Sequence, residues 1–294
     1  MSITDVNVYV SIIIEKIVNE LDIRKHNTGR QNKMPLMFYI NKIICVLRTG
    51  ISWKDLDLFK QPNEPSSDTI RKKHNKWIKL GVYDQIVKQL EDKYLNDYKE
   101  IITEYFIDST LLNNHNGTSV MAGFCYKLKG KRSMKANFIS DNNMIMYEPI
   151  ISNSQPHDST FIEPLIDLFP SKLTENATYN NCLTITGDAG YLINKQSNLN
   201  LRNTKHISIN AAYKKNMKRR KNEPNRKLLK KRHKIENVNA VLKRSHKRTA
   251  VVKDRKMEVL KTWFTLARIM IISKFLIQHE KIIINNKKRT YLFV

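Results

Sequence analysis

Three acidic residues stand where a two-metal phosphodiester chemistry would use them. Asp108 and Asp188 each follow a short apolar run, and Glu236 lies in a very basic segment. Carboxylates that hold two divalent cations roughly 4 Å apart polarise a phosphate and activate a water or a 3′-hydroxyl. Mg²⁺, or Mn²⁺ in its place, suits such a site as a pair of ions, because Mg²⁺ takes hard oxygen ligands and keeps several waters for the substrate. Each acid alone has an ordinary alternative, as a turn residue or an i,i+4 ion-pair partner on a solvated helix. The ordered set with its flanking residues makes that coincidence much harder to sustain.

The elements that must position them follow from pattern. Tyr105–Thr110 and Cys182–Tyr191 carry β-branched and aromatic residues in strand-like runs, so each aspartate is expected at the C-terminal end of a buried strand. If the two strands are neighbours in one sheet, the carboxylates converge. Arg232–Arg244 has helical period, which puts Arg232, Glu236 and Lys243 within roughly 40° of one another on one face. The flanking cations would hold phosphates in register without entering covalent chemistry.

Upstream, helical spacing predicts helices over Val10–Leu21, Leu36–Leu47, Ser67–Leu80, with Ser66-Ser67-Asp68 as caps, and Tyr83–Tyr94. Two or three of them can form a helix-turn-helix with Thr69–Trp77 as the reading element, in which Arg71, Lys72, Lys73 and Lys76 face phosphates and Ile70, His74 and Trp77 form a core stripe. The alternative is a packed bundle with a solvated basic face. From residue 103 the pattern turns to strands: the run at Phe106, then Phe124–Leu128, Lys135–Ser140 and Met144–Ile151, with a tight turn at Asp141-Asn142-Asn143. A helix over Asp158–Leu168, the Asp188 strand, a strand at His206–Ile209 and helices over Arg226–Ser245 and Lys256–Gln278 complete the series. The expected division is a helical, DNA-binding region over 1–100 and an α/β domain over 101–294 that includes the basic segment 213–234 and the C-terminal helix. The short interval between Asp188 and Glu236 leaves little room for a further inserted domain. Lys127, Lys131 and Arg132 between the first strands are candidate DNA contacts. Asp158 is read as a helix N-terminal dipole partner, His115 and His206 as ordinary core or surface residues, Trp263 with Leu266, Ile269 and Met270 as core, and Tyr191 as either packing or stacking on an end base.

Composition supports a polyanionic partner. Lys and Arg number 52 against 27 Asp and Glu, a formal net charge of +25, and so basic a chain seeks nucleic acid. Between Lys214 and Lys234 lie twelve Lys or Arg and one acid, Glu223. Lys218, Arg219 and Arg220 fall at its centre as candidate DNA contacts. Pro224 and the scarcity of apolar residues there argue against a membrane-surface helix. No apolar run reaches the roughly 18 residues of a membrane span, and the start of the chain lacks the basic and apolar order of a secretory signal, so an intracellular location is expected. Cys45, Cys125 and Cys182 are few and far apart, which gives neither a disulfide framework nor a zinc site; they read as buried small hydrophobes.

Asp108 with Ser109-Thr110, the Gly187-Asp188-Ala189-Gly190-Tyr191 turn, and Arg232-x3-Glu236-x6-Lys243 resemble the Asp-Asp-Glu (DDE) transposases of bacterial insertion sequences. Leu47–Leu56, Thr69–Trp77 and Gly81-Val82-Tyr83 resemble the helical region that precedes their catalytic domain, so the likeness covers about residues 35 to 275. Leu229 stands where the family pattern has Tyr, so one DNA-end contact is not carried over; His157-Asp158 resembles a family position that precedes a helix, which the dipole role of Asp158 explains as well. The resemblance implies a ribonuclease H-like α/β fold, with a mixed sheet and flanking helices behind a helix-turn-helix-like α-helical region. It implies a DNA transposase with Asp108, Asp188 and Glu236 as ligands of two Mg²⁺, Arg232 and Lys243 on the element's terminal phosphates, and a dimer or larger assembly on double-stranded DNA, both terminal inverted repeats and target. Alternatives are a ribonuclease H-like nuclease that hydrolyses without joining, and a domesticated DNA-binding protein with an inactive site. Related Harbinger-type enzymes extend the possible hosts to eukaryotes and viruses, where Lys218–Lys221 would serve as a nuclear signal.

Overall fold

The periodic apolar stripes at the start of the chain fold as α-helices: α1 (Ile3–Leu21), α2 (Leu36–Thr49), α3 (Ser67–Lys79) and α4 (Val82–Tyr98). Tyr39, Ile40, Ile43, Ile44 and Leu47 of α2 are buried at i, i+3 and i+4 spacing, the stripe that turns an amphipathic helix toward a core. Ser66 caps α3 by accepting from the Thr69 N–H, and Ile70, His74 and Trp77 are its buried face. The computed structural model describes residues 3–21, 34–114, 122–125, 128–213 and 224–288. The chain divides into one unit of Met1–Asn96, His246–Arg248 and Lys256–Val294, and a second of Asp97–Ser245 and Thr249–Arg255.

The second unit is built on a mixed sheet. Its strands are β1 (Tyr105–Asn113), β2 (Gly123–Phe124), β3 (Arg132–Asp141), β4 (Ile150–Asn153), β5 (Leu183–Gly187) and β6 (Ile207–Ala211). The order is β2-β3-β1-β5-β6, with β4 also paired to β3. β1 runs antiparallel to β3, with Asp108 opposite Phe138 and Ser109 opposite Asn137, and parallel to β5, with Tyr105 opposite Ile185. An antiparallel set followed by parallel strands on the far side of β1 is the order of a ribonuclease H-like sheet. The helices of this unit are α5 (Ile162–Asp167), α6 (Ser171–Thr174), α7 (Lys195–Lys205), α8 (Arg226–Lys230) and α9 (His233–Ser245); α9 packs on β1 and β3, and α7 on β6. Gly187 is required where β5 passes β1, because a Cβ there would lie 2.8 Å from Ile107 Cγ2 and 2.9 Å from Tyr191 Cβ.

Several elements differ from the sequence reading. β1 continues through Leu111 and Leu112 to Asn113, so Asp108 sits in mid-strand rather than at its end. The run from Met144 does not form a strand until Ile150, because Met144 takes a left-handed conformation (φ 65°) after the Asp141 turn. Asp141 Oδ1 accepts from the N–H groups of Asn143 and Ile145 and holds that turn. The helix expected over 226–245 is broken into α8 and α9 at Lys231-Arg232. His157, not Asp158, caps the short 3₁₀ turn Asp158–Phe161, through Nδ1 accepting from the Ser159 N–H. Of the cysteines, Cys125 is buried while Cys45 and Cys182 are partly exposed, and all three are free thiols.

The last helix, α10 (Met257–Lys288), belongs to the first unit, where it packs on α1, α2 and α3, not to the sheet unit to which the sequence reading assigned it. Trp263 is fully buried there, stacked on His74 with centroids 4.7 Å apart, and Trp53 lies 5.9 Å from it. Arg268, whose side chain is 5% exposed, donates to Glu91 of α4 at 3.0 Å. No helix among the described residues is long and apolar enough to cross a membrane.

Candidate active site

Asp108 lies at the centre of the sheet, on the strand shared by the antiparallel and parallel halves. Its Oδ1 accepts from the Ser109 N–H at 2.8 Å and its Oδ2 from Asn239 Nδ2 at 3.0 Å. Burial pushes its carboxyl up to about 6; the Ser109 N–H and Arg232 oppose that shift, and the charges of Asp188 and Asp158 add to it. An acid with this surrounding favours a cation beside it.

Asp188 follows β5 directly and caps the 3₁₀ turn Ala189–Tyr191, its Oδ1 accepting from the Gly190 N–H at 2.7 Å. Parallel pairing of β1 with β5 therefore brings the two aspartate-bearing strands side by side, as the sequence suggested. Tyr191 is fully buried and donates to Asn137 Oδ1 at 3.3 Å, so it packs and is not available to stack on a base. Burial first, and then the charges of Asp158, Asp108 and Asp188, hold its phenol protonated far above the usual range.

Glu236 is in the first turn of α9 and is exposed. Its helix is tied to the strand that bears Asp108 at two points: Asn239 donates to Asp108, and Glu104, just before β1, pairs with Lys231 and, at 3.1 Å, with Lys234. Among the described residues Glu236 has no ion-pair partner, so the i,i+4 pairing that would explain it as helix decoration is not formed. Asn239 Oδ1 and Arg232 Nε are buried atoms with no hydrogen-bond partner. Arg232 is in the turn that precedes α9, its carbonyl accepting from Ile235 N–H, and Lys243 is exposed one face-length further along the same helix.

The donor set is oxygen-rich and suits a hard divalent ion. In this conformation, however, no group of three or more His, Cys, Asp or Glu among the described residues is placed to hold a metal ion together. Asp108 and Asp188 are brought to one region and α9 brings Glu236 to its border; closure of the set is not seen.

The remaining candidates have ordinary roles in this structure. Arg71 and Lys72 pair with Asp68 at 2.5 and 2.9 Å, and Lys73 lies 4.4 Å over the Tyr39 ring and 5.7 Å over Trp77. Lys76 is exposed on the same helix. Arg132 covers the exposed Phe124 ring at 5.4 Å. Lys127, Lys218, Arg219 and Arg220 lie outside the described residues, as does His115. A cavity of about 470 Å³ opens beside β6, lined by Asn194, Lys195, Asn198, Asn210 and Tyr213 among others. Its lining holds none of the acids; the carboxylates, not this cavity, mark the chemistry here. Lys135 and Asn239 are residues that sequence reasoning missed, and Asp158 was noticed there but set down to capping. The signal for Asp158 was the His157-Asp158 pair ahead of a helix, at a position that resembles one in the family, and capping was the preferred explanation.

The sheet order, with Asp108 on its central strand and Asp188 after the neighbouring one, is that of a ribonuclease H-like α/β domain. Residues 101–270 match the family described as "Transposase DDE domain", more than half of the chain, and the protein belongs to that family. It is thus a DNA transposase by family. No curated protein matches the chain. A piggyBac transposase, solved by cryo-EM as a synaptic complex with hairpin DNA, resembles it at a TM-score of 0.47 and 11% identity, over 93% of this chain and 74% of that one. That likeness is too loose to assign residues.

Proposed function

We propose that this transposase cuts DNA at the ends of its own mobile element and joins the freed 3′ ends to target DNA, with Asp108, Asp188 and Glu236 holding two Mg²⁺ or Mn²⁺ ions. The observation that carries the reading is the environment of Asp108: a mid-sheet carboxylate pushed up to about 6 by burial, adjoining two further acids, and linked through Asn239 to the helix that bears Glu236. When bound, the ions would polarise the scissile phosphate and supply an activated water or 3′-hydroxyl. The chain's own part is to fix geometry. Ser109 N–H and Asn239 orient the Asp108 oxygens, Gly190 N–H orients Asp188, and Glu104 with Lys231 and Lys234 sets the start of α9. Arg232 and Lys243 offer charge-assisted donors to phosphates. Joining two ends requires that both be held together, so a dimer or larger assembly on duplex DNA belongs to the same proposal.

The test is Glu236→Gln. On a duplex carrying the element's terminal repeat, the variant should bind as the parent does but lose Mg²⁺-dependent strand cleavage by at least about 100-fold, the scale of losing one electrostatic stabiliser. Undiminished cleavage would remove Glu236 from the mechanism. Strand-transfer joints between donor ends and target separate this reading from simple hydrolysis.

A further inference from the structure

Asp158 is an acid that the three-carboxylate scheme does not use, and its surroundings set it apart from an ordinary surface residue. Its Oδ1 accepts from Lys135 Nζ at 2.6 Å. Lys135 projects from β3 with a side chain only 5% exposed; it also donates to the Pro156 carbonyl and lies 5.0 Å from the Phe161 ring centroid. A pair whose lysine is buried and whose acid is 21% exposed is a modest stabiliser, since desolvation of the lysine offsets much of the attraction. The pair does fix one oxygen of Asp158 firmly and leaves the other free to serve elsewhere.

That other oxygen, Oδ2, has no hydrogen-bond partner among the described residues and is turned to Gly190. A Cβ placed on Gly190 would lie 3.1 Å from Asp158 Oδ2 and 2.9 Å from Asp188 Oδ1. Two carboxylates therefore border one small space that only glycine leaves open. Asp158 also acts on Asp108, as one of the charges that raise its carboxyl, and is the nearest-acting acid on the buried Tyr191 phenol. Lys135 balances Asp158 through Oδ1, while Oδ2 and the Asp188 carboxylate still face one space, where a cation is favoured.

We propose that Asp158 is a fourth acidic residue of the active site, its Oδ2 held beside Asp188 by the grip of Lys135 on Oδ1, and that it supplies an oxygen, directly or through water, to the divalent ion bound at Asp188. The inference rests on the metal-dependent reading above and adds to it a residue and the buried lysine that positions it.

The experiment is Mn²⁺ titration of the full-length protein, followed by the electron paramagnetic resonance signal of free Mn²⁺, with thermal melts in metal-free buffer as a check on folding. Asp158→Asn, and the double variant K135M/D158N that removes both charges of the pair together, should each bind Mn²⁺ about 10–100-fold more weakly, the usual effect of losing an outer or auxiliary ligand. The double variant should melt close to the parent, which separates loss of the ion from loss of the fold. If both variants bind Mn²⁺ within about twofold of the parent while Asp188→Asn loses binding, Asp158 has no place in the site and the three-acid reading stands. If Asp188→Asn binds as the parent does, the metal-dependent reading fails and this inference falls with it.

Discussion

Both units bury ionisable groups, and they do so in opposite ways. In the helical unit His74 is fully buried, stacked on Trp263, with Nδ1 2.9 Å from the Tyr83 hydroxyl. Burial, with Arg248 adding to it, depresses that imidazole to about 3, and burial with Arg48 and Lys274 depresses His246 to about 4. Arg268 is matched by Glu91. Each of these groups is neutral or paired, although His74 Nε2 has no hydrogen-bond partner, and removing charge in this way is what packing for stability produces. In the sheet unit a half-buried acid lies among acids, an arginine Nε and an asparagine oxygen near it lack partners, and Glu236 has no ion-pair partner among the described residues. Local arrangements that work against stability are expected where chemistry is done.

The sharpest way to break the contrast is pH. His74 and His246 are depressed in the folded state, so their contribution is fully present above the unfolded value of 6.5 and is lost as pH falls toward about 4 and 3. Asp108 is raised, so its contribution is fully present below 3.8 and is lost as pH rises through about 6. All three tryptophans, Trp53, Trp77 and Trp263, belong to the helical unit, so intrinsic fluorescence reads that unit alone. Its urea midpoint should fall between pH 7 and 5, by the equivalent of on the order of 2 kcal/mol for each histidine. Asp108→Asn should do the reverse for the sheet unit: in metal-free buffer at pH 7.5 it should increase amide protection in β1 by on the order of 1–2 kcal/mol, an advantage that disappears by pH 4. A fluorescence midpoint that rises on acidification, or an Asn variant less protected at pH 7.5, would erase the distinction.

A smaller effect concerns the cations. Arg71 and Lys72 on α3 are engaged by Asp68, whereas no ion-pair partner is seen for Arg232 or Lys243 among the described residues. Arg232→Ala and Lys243→Ala should each reduce the salt dependence of binding to a terminal-repeat duplex by about one unit of slope, and Arg71→Ala by less. A larger loss from Arg71 would shift the principal phosphate contacts to the helical unit.

How much of this was legible follows from the kind of information each residue carries. Asp188 was placed correctly at the end of a strand because Gly-Asp-Ala-Gly breaks the apolar run locally. Asp108 was not, because the strand resumes at Leu111 and only its pairing with β3 reveals that the acid is central. The break at Lys231-Arg232 was hidden by a helical period that continues across it. α7 was missed because its sequence is almost wholly polar, with only Leu201 buried. α10 carries a broad apolar surface with Glu258, Lys261, Lys274 and Gln278 exposed, and periodicity shows that it is buried but not which unit it joins. Asp158 could be noticed beside His157 but not given a role, because its surroundings depend on Lys135, a strand lysine whose burial no local pattern announces.

The central claim is that Asp188 touches a metal ion, and Asp188→Cys tests it most directly, because a thiolate is a poor ligand for Mg²⁺ and a better one for the softer Mn²⁺. The account predicts strand cleavage that is absent in Mg²⁺ and restored in Mn²⁺. Cleavage in Mg²⁺ as strong as that of the parent would contradict it.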